Sequence, residues 1–116
     1  MLPKQYRLKK RSAFKATYKV KNSSRMGGVT LFAGILKKGD TPTKVGFVVS
    51  KKVHKRAVKR NHLKRLMRES YRLLLKEGQL GNSQKYMSLV FMGSDRALGK
   101  SFAEIKASIS KMLERI

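Results

Sequence analysis

The chain has no cysteine and no tryptophan, only two prolines, and only six acidic residues among its 116 positions. Without cysteine it can form neither disulfide bonds nor thiolate metal sites, and catalysis by a cysteine nucleophile is excluded. It has no apolar run near the roughly 20 residues that cross a bilayer, and no apolar stretch typical of a secretory signal. We therefore expect a cytoplasmic protein without a membrane partner, folded as one domain (1–116) by packing alone.

Positive charge is what the chain has in excess. Its 29 lysines and arginines oppose six acids and give a formal net charge of +23. Such an imbalance destabilises a compact chain by self-repulsion, so a permanent polyanionic partner is expected, and nucleic acid is the leading candidate. Eleven of these cations lie between Lys51 and Lys76, where Glu69 is the one acid.

The stretch from about 57 to 76 predicts an α-helix with two contrasting faces. At about 100° per residue, one arc of roughly 140° collects Arg60, Asn61, Lys64, Arg65, Arg68 and Arg72. The opposite side collects Leu63, Leu66, Met67, Ser70, Leu73 and Leu74. A solvated face usually mixes both signs of charge, whereas these like charges repel one another. The pattern therefore indicates a helix that packs on a core and presents cations to a polyanion.

The N-terminal region predicts a basic arm followed by a short helix. Residues 1–11 carry five cations and are expected to be mobile or ordered by a partner. A helix over about 12–20 follows, with Ser12 as its N-cap, because a serine hydroxyl can accept a hydrogen bond from the first turn.

The rest of the chain predicts three strands and a last helix. Residues 29–36 and 45–50 are rich in β-branched and apolar residues, and two antiparallel strands joined by a loop fit them best. Residues 86–92 predict a further strand after the basic helix. Ser101 and Glu104 form a capping box that begins the last helix. The fold class is therefore α+β, a small sandwich of helices on a sheet.

Three aromatic side chains allow two interpretations. On the first helix, Phe14 and Tyr18 form a strip separate from a small-residue docking face made of Ala13, Ala16, Thr17 and Val20. On the first predicted strand, Phe32 alternates away from Val29, Leu31, Ala33 and Ile35. All three aromatics are consistent either with the core or with a groove in which bases of a single strand stack.

The polar residues indicate no catalytic site in this chain. His54 and His62 are eight residues apart with no acid near either, which matches no metal-ligand or acid-base pattern. Both are expected at the surface of a phosphate-binding patch. The six acids are dispersed, so neither a hydrolytic site nor a metal site is predicted. Gly27-Gly28 lacks the ending of a phosphate loop and is expected to be a turn.

The basic helix resembles a known family. The run Val58-x-Arg60-Asn61-His62-x-Lys64-Arg65-x-x-Arg68, preceded by Val45-Gly46-Phe47-Val48-Val49-Ser50-Lys51-Lys52, is similar to the signature region of the bacterial ribonuclease P protein subunit. The opening Arg7-Leu8-Lys9, with Phe14 and Tyr18 after it, also resembles that family. The family usually has arginine where this chain has His62, which predicts a weaker contact that is pH-sensitive near neutrality.

The resemblance implies a fold and a function. The fold would be an α/β sandwich in the order α-β-β-β-α-β-α, with a fourth strand near 20–22 and a left-handed β-α-β crossover around the basic helix. The function would be to assist a catalytic RNA, with Mg²⁺ bound mainly by that RNA, in removing the 5′ leader from precursor tRNA. No catalytic residue in this chain and no obligate protein partner are implied.

The resemblance also implies which residues contact RNA. The ribonuclease P RNA would be bound by Lys51, Lys52, Arg60, Asn61, His62, Lys64, Arg65 and Arg68. The single-stranded leader would lie in a cleft lined by Phe14, Tyr18 and Phe32. Two other functions share the charge and size: a ribosomal or general RNA-binding protein without a processing role, and a nucleoid DNA-binding protein. The latter is disfavoured because Asn61 is nearly alone as a base-reading side chain on the helix.

Overall fold

The computed structural model describes residues 2–116 as a four-stranded mixed sheet with helices on both faces. In chain order the elements are α1 (Arg11–Lys19), β1 (Asn22–Met26), β2 (Val29–Ala33), β3 (Lys44–Val49), α2 (Ala57–Lys76), β4 (Ser88–Gly93) and α3 (Phe102–Arg115). The predicted α+β class and element order are confirmed. Within the described residues, no helix combines the length and hydropathy needed to cross a membrane.

The sheet order is β1-β2-β4-β3, and this corrects one sequence-based expectation. Strands β3 and β4 are parallel and joined through α2, whereas β4 pairs antiparallel with β2. The predicted pairing of 29–36 with 45–50 is therefore wrong. The reason is that β4 contains the most apolar run, with Leu89, Val90 and Phe91 all fully buried, and so takes a central position. The left-handed sense of the β3-α2-β4 crossover stays a prediction.

Strand β1, the one strand expected only from the family resemblance, forms a hairpin with β2. Gly27 and Gly28 make the turn with φ of 60° and 86°, values that glycine adopts without steric cost. The predicted turn is thus confirmed, and the strand expected near 20–22 runs from Asn22 to Met26. Its sequence is mostly polar because it lies at the edge of the sheet, which leaves little hydrophobic pattern to detect.

The hydrophobic core lies between one face of the sheet and helices α2 and α3. Strand β2 alternates as predicted, with Val29, Leu31 and Ala33 fully buried. Ile35 does not continue this row: it is 52% exposed because the strand ends at Ala33. From the helices, the buried side chains are Leu63, Met67, Tyr71, Leu74, Ile105, Ile109, Met112 and Leu113.

Tyr71 is the large aromatic of α2 that the sequence analysis missed. Its ring lies 5.8 Å from that of Phe91 and 6.3 Å from that of Phe47. Its hydroxyl accepts a hydrogen bond from Nε2 of Gln84 at 3.0 Å. Burial raises the pKa of Tyr71 to about 12, so the phenol stays neutral inside the core. The ring thus anchors α2 on the sheet.

Within the part that the structure describes, the basic arm lies folded along β3; Met1 lies outside it, and the mobility of the arm stays a prediction. Leu2 is 1% exposed and belongs to the core. Arg7 forms a parallel bridge with Val45, and the N–H of Leu8 donates to the carbonyl of Val45 at 2.9 Å. Buried Leu2 and half-buried Tyr6, which packs against the core, help to hold this segment along β3.

The cap of α1 also differs from the prediction. The helix begins at Arg11, so Ser12 lies inside the first turn, and Lys10 stands at the N-cap without a side-chain hydrogen bond. At α3 the predicted capping box is confirmed: the N–H of Glu104 donates to Ser101 Oγ, and the N–H of Ser101 donates to Glu104 Oε1.

These two serines give a matched test of helix capping. We expect Ser101→Ala to lower the free energy of unfolding by about 1 kcal/mol, because it leaves the backbone N–H of Glu104 without its acceptor. Ser12→Ala should change it by less than about 0.5 kcal/mol, because no cap is lost. Urea unfolding followed by circular dichroism measures both, and equal losses would contradict the assignment of the two caps.

Candidate RNA interface

Helix α2 presents its cations away from the core. Its buried side is formed by Leu63, Met67, Ser70, Tyr71 and Leu74, with Leu66 and Leu73 half-buried. The predicted apolar face is therefore confirmed, with Tyr71 as an addition. On the outward side, Asn61 and Arg65 are exposed, and the other members are half-buried: Arg60, Lys64, Arg68 and Arg72.

This face has almost no compensating negative charge. Within residues 2–116, Lys64, Arg65 and Arg68 form no ion pair with a carboxylate, and Arg72 pairs with Glu69 at 3.0 Å. Arg60 is held differently, because its Nη1 donates to the carbonyls of His54 at 2.7 Å and Lys55 at 2.8 Å. These two bonds fix the guanidinium over the start of α2 and leave its charge uncompensated.

The other predicted RNA contacts divide between two places. Lys51 and Lys52 are exposed in the turn that follows β3, close to the start of α2. His62 is exposed and lines a pocket with His54 on one flank of α2. The structure thus brings together two histidines for which sequence spacing offered no joint role.

The opposite face of the sheet carries the aromatic groove. Because side chains alternate along a strand, the register of the four strands puts two rows on this face. The first row is Ser23, Phe32, Val90 and Gly46. The second row is Arg25, Thr30, Met92 and Val48.

Helix α1 covers the first row and leaves the second open. The Phe14 ring lies so close to Gly46 that a Cβ at that glycine would overlap it. The Tyr18 ring meets the Phe32 ring edge to face, with centroids 5.0 Å apart. The structure therefore brings the three predicted aromatics to one edge of the groove, where each keeps part of its surface exposed. Partial burial raises the pKa of Tyr18, so its hydroxyl stays neutral.

The docking of α1 corrects the predicted small-residue face. Of its four members, Thr17 is buried, whereas Ala16 is exposed and Val20 is 38% exposed. Thr17 Oγ1 donates to the carbonyl of Ala13 at 2.8 Å and lies 2.6 Å from Ser88 Oγ on β4. The helix is thus held by a buried hydroxyl pair together with Phe14 packing, because the glycine at position 46 gives the ring room.

A depression of about 690 Å³ lies beside the second row, on the same face of the sheet. Its lining includes Thr30 and Met92 of that row, the cations Arg25 and Arg96, and one acid, Asp95. Sequence analysis missed these residues as site members. The alternation that placed Phe32 on this face also places Thr30 there, but the cations could be found only from the three-dimensional arrangement.

Metal ligands are not clustered in the described part of the chain. Residues 2–116 contain no group of three or more His, Cys, Asp or Glu side chains that could hold an ion. The two candidate surfaces are instead defined by cations on α2 and by aromatic rings beside α1. They lie on opposite sides of the sheet, because Leu63 of α2 packs at Gly93 on one face and Phe14 at Gly46 on the other.

Comparison with known proteins agrees with these features. The family model described as Ribonuclease P matches residues 2–116. A ribonuclease P protein component from Synechococcus sp. is 33% identical over 117 residues, covering 99% of this chain and 84% of the relative. One from Clostridium kluyveri is 34% identical over 110 residues, covering 95% of this chain and 93% of the relative.

Solved structures show the same fold. The RNase P protein of Staphylococcus aureus superposes with a TM-score of 0.78 at 24% identity, covering 97% of this chain and 95% of that one. The RNase P protein of Thermotoga maritima, in complex with 1-(4-fluorophenyl)-2-thiourea, gives 0.77 at 23% identity, covering 95% and 99%. Together with the match of the family model along residues 2–116, these findings show that the chain belongs to the ribonuclease P protein family.

Proposed function

We propose that this chain is the RNA-binding subunit of a cytoplasmic ribonuclease P, in which an RNA subunit removes the 5′ leader from precursor tRNA. The observation that carries the proposal is an uncompensated cationic face on α2 together with an aromatic groove on the opposite side of the sheet. Two separate RNA-facing surfaces suit a protein that holds a catalytic RNA with one and a substrate strand with the other.

The cationic face of α2 would bind the ribonuclease P RNA. Arg65 and Arg68 donate from planar guanidinium groups that match phosphate oxygens, and Lys64, Lys51 and Lys52 add point charges. Each neutralised phosphate releases condensed counterions, so affinity falls steeply as salt rises. Exposed Asn61, among these cations, can orient a phosphate or a ribose hydroxyl by hydrogen bonding.

The groove would bind the single-stranded leader. Every base offers a face that stacks on an aromatic ring, so Phe14, Tyr18 and Phe32 can hold a strand with little sequence preference. Arg25 and Arg96 further along the groove can neutralise the phosphates that follow. Thr30 and Met92 lie on the same face of the sheet as Phe32, so a strand that stacks on the rings can extend over them.

Catalysis is assigned to the RNA subunit and to Mg²⁺ bound mainly by it. The chain would contribute by neutralising phosphates where two polyanions, the RNA subunit and the precursor, approach each other. It would also hold the leader, which favours precursor over mature tRNA. The assembled enzyme should therefore need less Mg²⁺ than the RNA subunit alone, since cations of the protein replace part of the screening of RNA phosphates.

Reconstitution with a bacterial ribonuclease P RNA tests this proposal. At low Mg²⁺ the chain should restore leader removal, and Arg65→Ala should weaken assembly about tenfold, as expected for one lost charge-assisted contact. The slope of log affinity against log salt should fall by about one. Filter binding over a salt series measures both quantities.

Arg115→Ala is the matched control, because Arg115 is exposed at the end of α3, away from the proposed face. It should leave affinity and slope unchanged. An Arg65→Ala slope equal to that of wild type would contradict the assigned face. RNA binding without any restored leader removal would instead favour a general RNA-binding role.

Phe14→Ala should separate substrate binding from assembly. Loss of one stacking ring is expected to weaken binding of leader-bearing precursor to the assembled enzyme by about 1 to 3 kcal/mol, while mature tRNA binds as before. Phe102→Ala, which truncates a half-buried ring on α3, controls for general loss of packing. Equal losses for precursor and mature tRNA would show that the groove does not hold the leader.

A further inference from the structure

A pocket on one flank of α2 joins two histidines with an apolar floor. Its volume is about 410 Å³. His54 comes from the turn before the helix, and His62 and Lys59 come from its first two turns. The remaining lining residues are Leu63, Leu66, Ala97, Leu98 and Gly99. The pocket is separate from both the outward cationic face and the aromatic groove.

The polar side chains at the rim of this pocket suit an anionic ligand. No carboxylate lines it, and among the described residues neither Lys59 nor His62 has a hydrogen-bond or ion-pair partner. The Nδ1 atom of His54 accepts a hydrogen bond from the N–H of Arg56 at 3.0 Å. A neutral His54 therefore carries its proton on Nε2, which remains available as a donor.

The nearest charged groups on the opposite wall are engaged elsewhere. That wall contributes only Ala97, Leu98 and Gly99 to the pocket. Asp95 and Arg96 line the groove on the other side, and Lys100 donates from Nζ to the carbonyl of Gly27 at 2.9 Å. Lys59 and the two histidines thus all lie on the α2 side of the pocket, opposite an uncharged wall.

The floor indicates more than an anion site. Leu63 is 1% exposed and Ala97 is fully buried, while Leu66 and Leu98 keep part of their surface accessible. An inorganic anion would gain nothing from such a floor, whereas the flat face of a base would be desolvated there. The hydrogen-bond donors at the rim suit the phosphate of a nucleotide, and the leucines below suit its base.

We propose that this pocket binds one unpaired nucleotide of RNA, with its phosphate on His54, Lys59 and His62 and its base against Leu66 and Leu98. The inference rests on the proposed function, since the nucleotide would belong to the ribonuclease P RNA bound by the adjacent face of α2. His62 then acts as a pocket residue and not as a substitute for arginine on the cationic face.

Titration of the intact chain with single nucleotides tests the pocket directly. Each of the four ribonucleoside 5′-monophosphates is added while the methyl signals of Leu66 and Leu98 and the imidazole signals are followed by NMR. Ribose 5-phosphate serves as the abasic control. We expect nucleotides to shift methyl and imidazole signals together, whereas ribose 5-phosphate shifts the imidazole signals alone.

Two variants that each remove one positive charge distinguish binding in the pocket from general electrostatic attraction. Lys59→Ala should weaken nucleotide binding about tenfold, and Lys55→Ala, at an exposed position outside the pocket, should weaken it less than twofold. The double variant His54→Ala with His62→Ala should lose most of the affinity, followed through the methyl signals of Leu66 and Leu98.

The proposal is overturned if no nucleotide shifts the leucine methyls, or if ribose 5-phosphate shifts them as much. It is also overturned if Lys55→Ala and Lys59→Ala weaken binding equally. A negative result in the nucleotide titrations would not affect the prediction for Arg65→Ala, because assembly is measured with the whole ribonuclease P RNA. Conversely, an unchanged Arg65→Ala slope would contradict the proposed function while the nucleotide pocket could still be observed.

Discussion

The burial of one side of α2 is the constraint on which the rest of the structure depends. Leu63, Met67 and Leu74 are almost fully buried against the sheet and α3, and Tyr71 locks the helix onto two aromatic rings. Burial of each such side chain contributes about 1.5 to 3 kcal/mol, which outweighs the mutual repulsion of exposed cations in water. Once this side is fixed, the helical repeat directs Asn61, Arg65 and Arg68 outward, and the proposed RNA partner would remove the remaining repulsion.

The second surface follows from the pleat of the sheet. One face of the sheet packs against the core. The alternate residues of the strands form the other face, which α1 covers in part. Gly46 lets Phe14 sit directly on the backbone, and the Thr17–Ser88 hydroxyl contact holds α1 at one edge. The outcome is a partly open face with the rings at one edge and a depression lined by Arg25 and Arg96 beside the second row. Its position opposite α2 keeps the two proposed RNA contacts from competing.

Much of this could be predicted from the sequence, because strong periodic patterns decide local structure. The bounds of α2, the alternation of β2 and the capping box of Ser101 were all recoverable in this way. The order of strands was not, since it depends on which apolar run becomes central, and local patterns do not rank β4 above β3. The contacts of the arm were missed because they are made by Leu2 and Tyr6, which stand among five cations without a periodic pattern. His54 and His62 line one pocket because the turn after β3 brings His54 next to α2, which sequence spacing does not reveal.

The most direct test of the central claim uses the absence of cysteine from the chain. Val58→Cys, at a position 75% exposed on the outer side of α2, and Lys111→Cys, exposed on α3, each accept a tethered iron chelate that cleaves nearby RNA. Assembled with ribonuclease P RNA, the α2 probe should cut the RNA at a few discrete sites and the α3 probe should cut little. Equal cutting from both positions, or none from Val58→Cys in an assembled complex, would contradict docking through this face.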